Sequence, residues 1–132
     1  MPATGVASIG PQNSVNFIFD QSVATTNATE TFGYTVTRSF QATGFLAVAK
    51  AAVVGATVQA RNGATAISAA LAVAALDTFA AGNPTGAGSG NASAFAVGDT
   101  LNIVVATAGG ICKLFINGIA LPAASPSTVA AV

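Results

Sequence analysis

The stretch Thr100–Ile116, TLNIVVATAGGICKLFI, decides the fold class. Leu101, Ile103 and Val105 alternate with Asn102, Val104 and Ala106. Beyond Ala108-Gly109-Gly110 come Ile111, Cys112, Leu114, Phe115 and Ile116. β-Branched residues at period two on one side of a glycine-rich turn, and a second apolar run on the other, predict a β-hairpin. Both of its faces are mostly apolar, so it belongs inside a packed sheet rather than at a wet edge.

The flanks continue the pattern. Ala94–Val97 reads as a short strand, and Gly98-Asp99 as the turn into the hairpin, with Asp99 bonding turn amides. Asn117-Gly118 reads as a second turn, returning through Ile119–Leu121 to Pro122. Further back, Asn62-Gly63 lies between Ala56–Arg61 and Ala64–Ser68. That is a hairpin signal, because a tight I′ turn needs positive φ at both central residues. Ser14–Asp20 alternates cleanly, with Val15, Phe17 and Phe19 on one side. Gln21–Glu30 is polar and reads as a loop or weak edge strand. Thr31–Phe40 is a two-faced strand with Phe32, Tyr34, Val36 and Phe40 on its apolar side. Gln41–Gly44 reads as a turn, and Phe45–Val54, FLAVAKAAVV, as a strand apolar on both faces apart from Lys50.

Residues 69–81 fit two periods. Ile67, Leu71, Ala75 and Phe79 recur every four residues, while the odd positions from Ile67 to Ala75 fit a strand. A helix would want charges on its outer face and finds only Asp77, so the strand is preferred. Residues 81–93 form a Gly-rich exposed loop. About eight short strands with Gly or Asn turns predict an all-β, antiparallel sandwich or barrel. Pro2, Gly5, Gly10 and Pro11 argue against a regular element at the start. The expected division is an arm over 1–13, a sandwich domain over 14–122 and a tail over 123–132.

Composition narrows the function. Only 6% of the 132 residues are charged and 52% are hydrophobic, whereas about 25% charged is usual. A soluble domain normally covers itself with charge. Here either Ser, Thr, Asn and Gly cover the surface, or much of it is buried against other subunits; the second is favoured. Four bases and four acids are scattered singly, so no basic stripe marks a nucleic-acid partner. The apolar runs over 45–58 and 64–76 fall short of the roughly 20 residues of a membrane helix. The opening MPATGVASIG has neither the basic segment nor the apolar stretch of a secretory signal.

Chemistry is scarce. There is no histidine, hence no ordinary general base or imidazole metal ligand. The single cysteine, Cys112, makes neither a disulfide framework nor a thiolate zinc site. Asp20, Glu30, Asp77 and Asp99 lie far apart and form no calcium loop. Without Trp, and with only Tyr34 as tyrosine, there is little platform for sugar. Gly86, Gly88 and Gly90 imitate a phosphate loop but no Lys follows. No catalytic, cofactor-binding or metal residues are expected, and no small-molecule substrate. Arg38, Lys50 and Arg61 are expected in rim or intersubunit pairs.

Three segments in order carry a resemblance: Gly55-Ala56-Thr57-Val58, then Asn62-Gly63-Ala64-Thr65-Ala66-Ile67, then Phe95-Ala96-Val97-Gly98-Asp99-Thr100-Leu101. Over about residues 45 to 119 the chain resembles the small β-sandwich proteins that bacteriophages mount on their virions. These are capsid decoration (cement) proteins and tail-fibre modules. The likeness implies a non-enzymatic, jelly-roll-like body, commonly a homotrimer, on the exterior of the virion. Its partner would be the major capsid protein, whose neighbouring subunits it clamps with its arms. On this reading the shell or sister-subunit contact falls to the arm, at Pro2, Val6, Ile9 and Pro11, with help from Val15 and Phe17. The alternative it implies is an adhesive or receptor-binding module.

Overall fold

The computed structural model describes residues 3–9, 14–84 and 94–121. These residues form eleven strands and no helix. They are β1 (Ala3–Ile9), β2 (Ser14–Gln21), β3 (Thr29–Thr35), β4 (Phe40–Ala49), β5 (Thr57–Asn62), β6 (Thr65–Ala66), β7 (Leu71–Ala72), β8 (Phe79–Gly82), β9 (Ala94–Phe95), β10 (Thr100–Ala106) and β11 (Cys112–Ala120). Every pairing is antiparallel. One sheet has six strands in the order β1-β2-β11-β4-β8, with β9 also on β4. The other has five, β3-β10-β5-β6, with β7 also on β5. The all-β sandwich is as expected; the additional strands are short ones such as β6, β7 and β9.

Period-two alternation builds the core. β2 turns Val15, Phe17, Phe19 and Gln21 inward, and β10 turns Leu101, Ile103 and Val105 inward to meet them from the other sheet. Rings bridge the layers: Phe19 lies 5.2 Å from Phe32, and Phe17 lies 5.2 Å edge-on to Tyr34. Fully burying each such side chain is worth about 1.5–3 kcal/mol. Leu114 and Ile116 of β11 complete the layer under β10.

The Thr100–Ile116 hairpin does not form. β10 is an inner strand of the five-stranded sheet, flanked by β3 and β5, and β11 is an inner strand of the six-stranded sheet, flanked by β2 and β4. Residues 107–111 carry the chain from one layer to the other. The expected packed setting is right, but the two strands face each other across the core instead of pairing.

Three further boundaries move. β3 stops at Thr35, and the chain changes sheets over 36–39, so Phe40 and the expected turn Gln41–Gly44 belong to β4. Val36 is held in this crossing by bonds between its N–H and the Asp99 carbonyl and between the Gly98 N–H and its own carbonyl. Residues 69–81 contain only β7 and β8, joined by a loop through Asp77, whose φ is 62°. Asn117-Gly118 is not a turn. β11 runs straight through it, and the register against β4 shifts there, opposite Ala42–Gly44. The Asn62-Gly63 hairpin does form, one residue along: Asn62 pairs with Thr65, and Gly63 is the first central residue, with φ 60°.

The N-terminal arm is corrected as well. Ala3–Ile9 is a regular strand paired along its whole length with β2. Gly5 does not break it, because that position requires glycine. A Cβ there would stand 2.5 Å from Cζ of Phe17 and 2.8 Å from Cε1 of Tyr34. A glycine inside a strand marks such a close approach. Residues 1, 2, 10–13, 85–93 and 122–132 lie outside the described residues, and with them the expected C-terminal tail and most of the Gly-rich loop.

Candidate interaction surface

The two outer faces of the sandwich differ in kind. On the five-stranded sheet, Thr31 and Thr35 of β3, Thr100 and Asn102 of β10, and Gln59 and Arg61 of β5 point outward. These groups bond locally: Nε of Arg61 donates to Oε1 of Gln59 at 2.8 Å, and Nδ2 of Asn102 to the Gly63 carbonyl at 2.7 Å. Apart from the buried Val104 between Thr31 and Gln59, that face is polar.

The six-stranded sheet turns an apolar row outward. Ile18 stands opposite Phe115, Phe115 opposite Leu46, and Leu46 opposite Ala81. The next row reads Asp20, Lys113, Val48 and Phe79, and the row on the other side Asn16, Asn117 and Gly44. Ile18, Phe115, Leu46 and Val48 are half-buried, and Phe79 at the edge is 69% exposed. Their strand neighbours Phe17, Ile116, Phe45 and Ala47 fill the core, so at this row β2, β11 and β4 are apolar on both faces. A two-layer domain normally has apolar residues on one side of each sheet only.

Charge gathers at one corner of this face. Nζ of Lys50 lies 2.8 Å from Oδ1 of Asp20 and donates to the Gln21 carbonyl at 2.7 Å. Nζ of Lys113 sits 5.4 Å from the centre of the Phe115 ring. The Lys50–Asp20 pair is about two-fifths exposed on each side, so it contributes under about 1 kcal/mol and mainly fixes the corner. The expected pairing of Lys50 is thus found within the chain. Arg61 bonds Gln59, and Arg38 is exposed on the crossing between β3 and β4. Asp99 plays the turn role, its Oδ2 accepting the Ala96 N–H at 2.9 Å.

The expected contact residues separate. Val15 and Phe17 are 6% and 7% exposed and belong to the core. Val6 and Ile9 lie on β1, at the register positions opposite Ile18 and Val15. Pro2 and Pro11 lie outside the described residues. The outward row was missed, although the two-faced apolar run FLAVAKAAVV was its signal.

Behind the charged corner, Gln21 is fully buried. Its Nε2 donates to the carbonyls of Gly110 (2.9 Å) and Val23 (3.0 Å), and its Oε1 accepts the Cys112 N–H at 3.0 Å. Thr25 joins the same cluster: its hydroxyl donates to the Thr107 carbonyl at 2.8 Å, and its carbonyl accepts the Gly109 N–H at 2.7 Å. These bonds hold Thr107 at φ 84°. The crossings 22–28 and 107–111 are stitched together at this end.

Burial pushes the Cys112 thiol up to about 12; Asp20 also raises it and Lys50 partly opposes both. The unfolded thiol ionises near 9, so the unfolded chain gives up its proton first as pH rises. The thiol's contribution is fully present below about pH 9 and lost as pH climbs toward 12. Equilibrium unfolding from pH 8 to 11 should show stability falling, less steeply in Cys112→Ala. Tyr34, raised by burial with its hydroxyl unpartnered, adds to the fall in both proteins.

Among the described residues no group of His, Cys, Asp and Glu is placed to hold a metal ion, and no helix is long and apolar enough to cross a membrane. No protein-family model, curated protein or solved structure matches this chain.

Proposed function

We propose that this chain is a non-enzymatic structural protein of a phage particle, a decoration protein on the outside of the assembled shell that bridges neighbouring subunits of the major capsid protein. The observation that carries the reading is the apolar outward row Ile18–Phe115–Leu46–Ala81, with Val48 and Phe79 beside it. Covering it with a partner is worth about 25 cal/mol per Å² removed from water. Five strands about 4.8 Å apart and some seven residues long give a platform of roughly 500 Å² in projection. A standard interface takes about 800 Å² of accessible surface from each partner, so the face and its margins suffice. With few charges to desolvate, such a contact depends little on salt.

The winding supports the same reading. The order β2-β11-β4-β8 faces β3-β10-β5-β6, and the chain changes sheet at nearly every long strand. This favours the jelly-roll form that the family resemblance implies. A protein that binds the assembled lattice and not its free subunits stabilises the lattice by mass action. Repetition over a shell multiplies the effect of a modest contact.

Cosedimentation tests this, with undecorated assembled shells and, separately, with unassembled major capsid protein of the encoding phage. The chain should pellet with shells and ignore free subunits. Phe115→Glu charges the outward face and leaves the core alone; it should cut shell occupancy about tenfold or more. Equal binding to free subunits, or full occupancy by the Phe115→Glu protein, refutes the proposal.

A further inference from the structure

β1 is the terminal strand of the six-stranded sheet. Among the described residues nothing lies beyond it, so a row of backbone N–H and C=O groups along Ala3–Ile9 faces outward without a strand to pair. The other sheet edges are blunted. β8 and β9 are four and two residues long, β6 and β7 are two each, and β3 carries Glu30. β1 has none of these devices. It is seven residues long, ATGVASI, with neither charge nor proline. A long uncharged edge of this kind is a template for another strand.

We infer that the occupant is β1 of a second copy, paired antiparallel about a two-fold axis at Val6. Three observations point to a copy rather than to an unrelated strand. First, the segment is self-complementary in that register. Val6 stands opposite Val6 of the copy, Gly5 opposite Ala7 and Thr4 opposite Ser8, matching small with small and hydroxyl with hydroxyl. A two-fold contact requires such self-complementarity. Second, the register preserves the faces. Thr4, Val6 and Ser8 hold the register positions opposite Asp20, Ile18 and Asn16, residues of the outward rows, and directly opposed residues share a face. Third, the apolar row is continued. Within one chain it ends at the Val6 position beside Ile18. Pairing Val6 with Val6 joins it to the same row of the copy. The result is one apolar band over ten strands, five from each copy, about 43 Å across at a strand spacing of about 4.8 Å. Any other register would break the band or turn the two outward faces to opposite sides.

This dimer forms without a shell, so its test is separate from the shell-binding experiment and either can fail alone. The purified full chain is diluted stepwise under light scattering. Four variants accompany it, all altered at the β1 positions opposite Asp20, Ile18 and Asn16. Thr4→Lys with Ser8→Lys sets two like-charge oppositions in each dimer and should weaken dimerisation about tenfold or more. Thr4→Lys with Ser8→Glu turns the same positions into opposite charges and should restore dimerisation. Val6→Cys should give a covalent dimer under mild oxidation, because opposed Cα atoms in paired strands lie within disulfide range. Ser8→Cys should not, its copy lying about 14 Å away in this register. Cys112 is buried and stays out of the reaction. A monomer at all concentrations overturns the inference. So do a trimer, the form that the family resemblance implies, dimerisation indifferent to the paired lysines, and cross-linking as ready through Ser8→Cys as through Val6→Cys.

Discussion

Gln21→Leu is expected to lower the stability of the fold by about 3 kcal/mol, an effect usually reserved for large core truncations. Leucine nearly fills the volume, so a cavity is not the cause. The loss is polar. Gln21 satisfies the buried N–H of Cys112 and donates to the carbonyls of Gly110 and Val23. Removing the side chain leaves the Cys112 N–H without that acceptor, at about 1–3 kcal/mol for an unmet buried donor. It also unpins residues 107–111, on which the bonds of Thr25 and the positive φ of Thr107 depend. Two readouts separate this from a general loosening. Urea unfolding should show a lower midpoint at unchanged slope. Native-state labelling of the Cys112 thiol, negligible in the parent chain, should become measurable as the adjoining crossing opens locally. An unfolding free energy within about 0.5 kcal/mol of the parent would show that water substitutes for the amide.

Gly118→Ala is the second large effect, expected at the upper end of the roughly 1–3 kcal/mol seen for overpacking. The cause is space, since Gly118 is not among the glycines with positive φ. A Cβ at 118 would meet the Gln41 carbonyl oxygen at 2.5 Å and Cδ2 of Phe40 at 3.0 Å. The first of these is backbone in the adjoining strand and cannot swing away. The register shift at Asn117/Gly118 draws β4 tightly over this residue. Gly44, close by on β4, has nothing within 4 Å of a built Cβ. Gly44→Ala is therefore the matched control and should cost little. Comparable losses at both positions would mean that the bulge tolerates a methyl group by shifting, contrary to the steric account.

The sandwich was legible because alternation reports which residues share a face. Val15, Phe17 and Phe19, or Leu101, Ile103 and Val105, announce an inward side before any partner is known. Alternation does not report partners. The five residues between β10 and β11 suit a hairpin loop or a crossing between layers, and only the competing claims of β2, β3, β4 and β5 decide. Asn117-Gly118 has turn chemistry, yet a glycine in a strand also marks close backbone approach, and here that use prevailed. Gly5 misled in the same way at the start of the chain. Gln21 opens a polar run that reads as a loop or weak edge strand; its burial arises from the Gly110 carbonyl and the Cys112 N–H, some ninety residues away in sequence. The outward row was half visible, since FLAVAKAAVV is apolar on both faces. Its continuation through Phe115 and Ile18 needed the register.

The placement of β10 and β11 bears on how the chain is made. Synthesis delivers β2 and β4 long before β11, the strand that must lie between them. β3 and β5 likewise wait for β10. Until residues 100–120 leave the ribosome, neither sheet can close, and strands apolar on both sides stand with open edges. At about 5–20 residues per second that interval lasts several seconds. Folding is therefore held back until β11 emerges and must follow quickly once it does. Strands that need remote partners form slowly, so this nascent chain is a natural client for chaperones that shield apolar segments, and a fragment ending before residue 112 should find no native state.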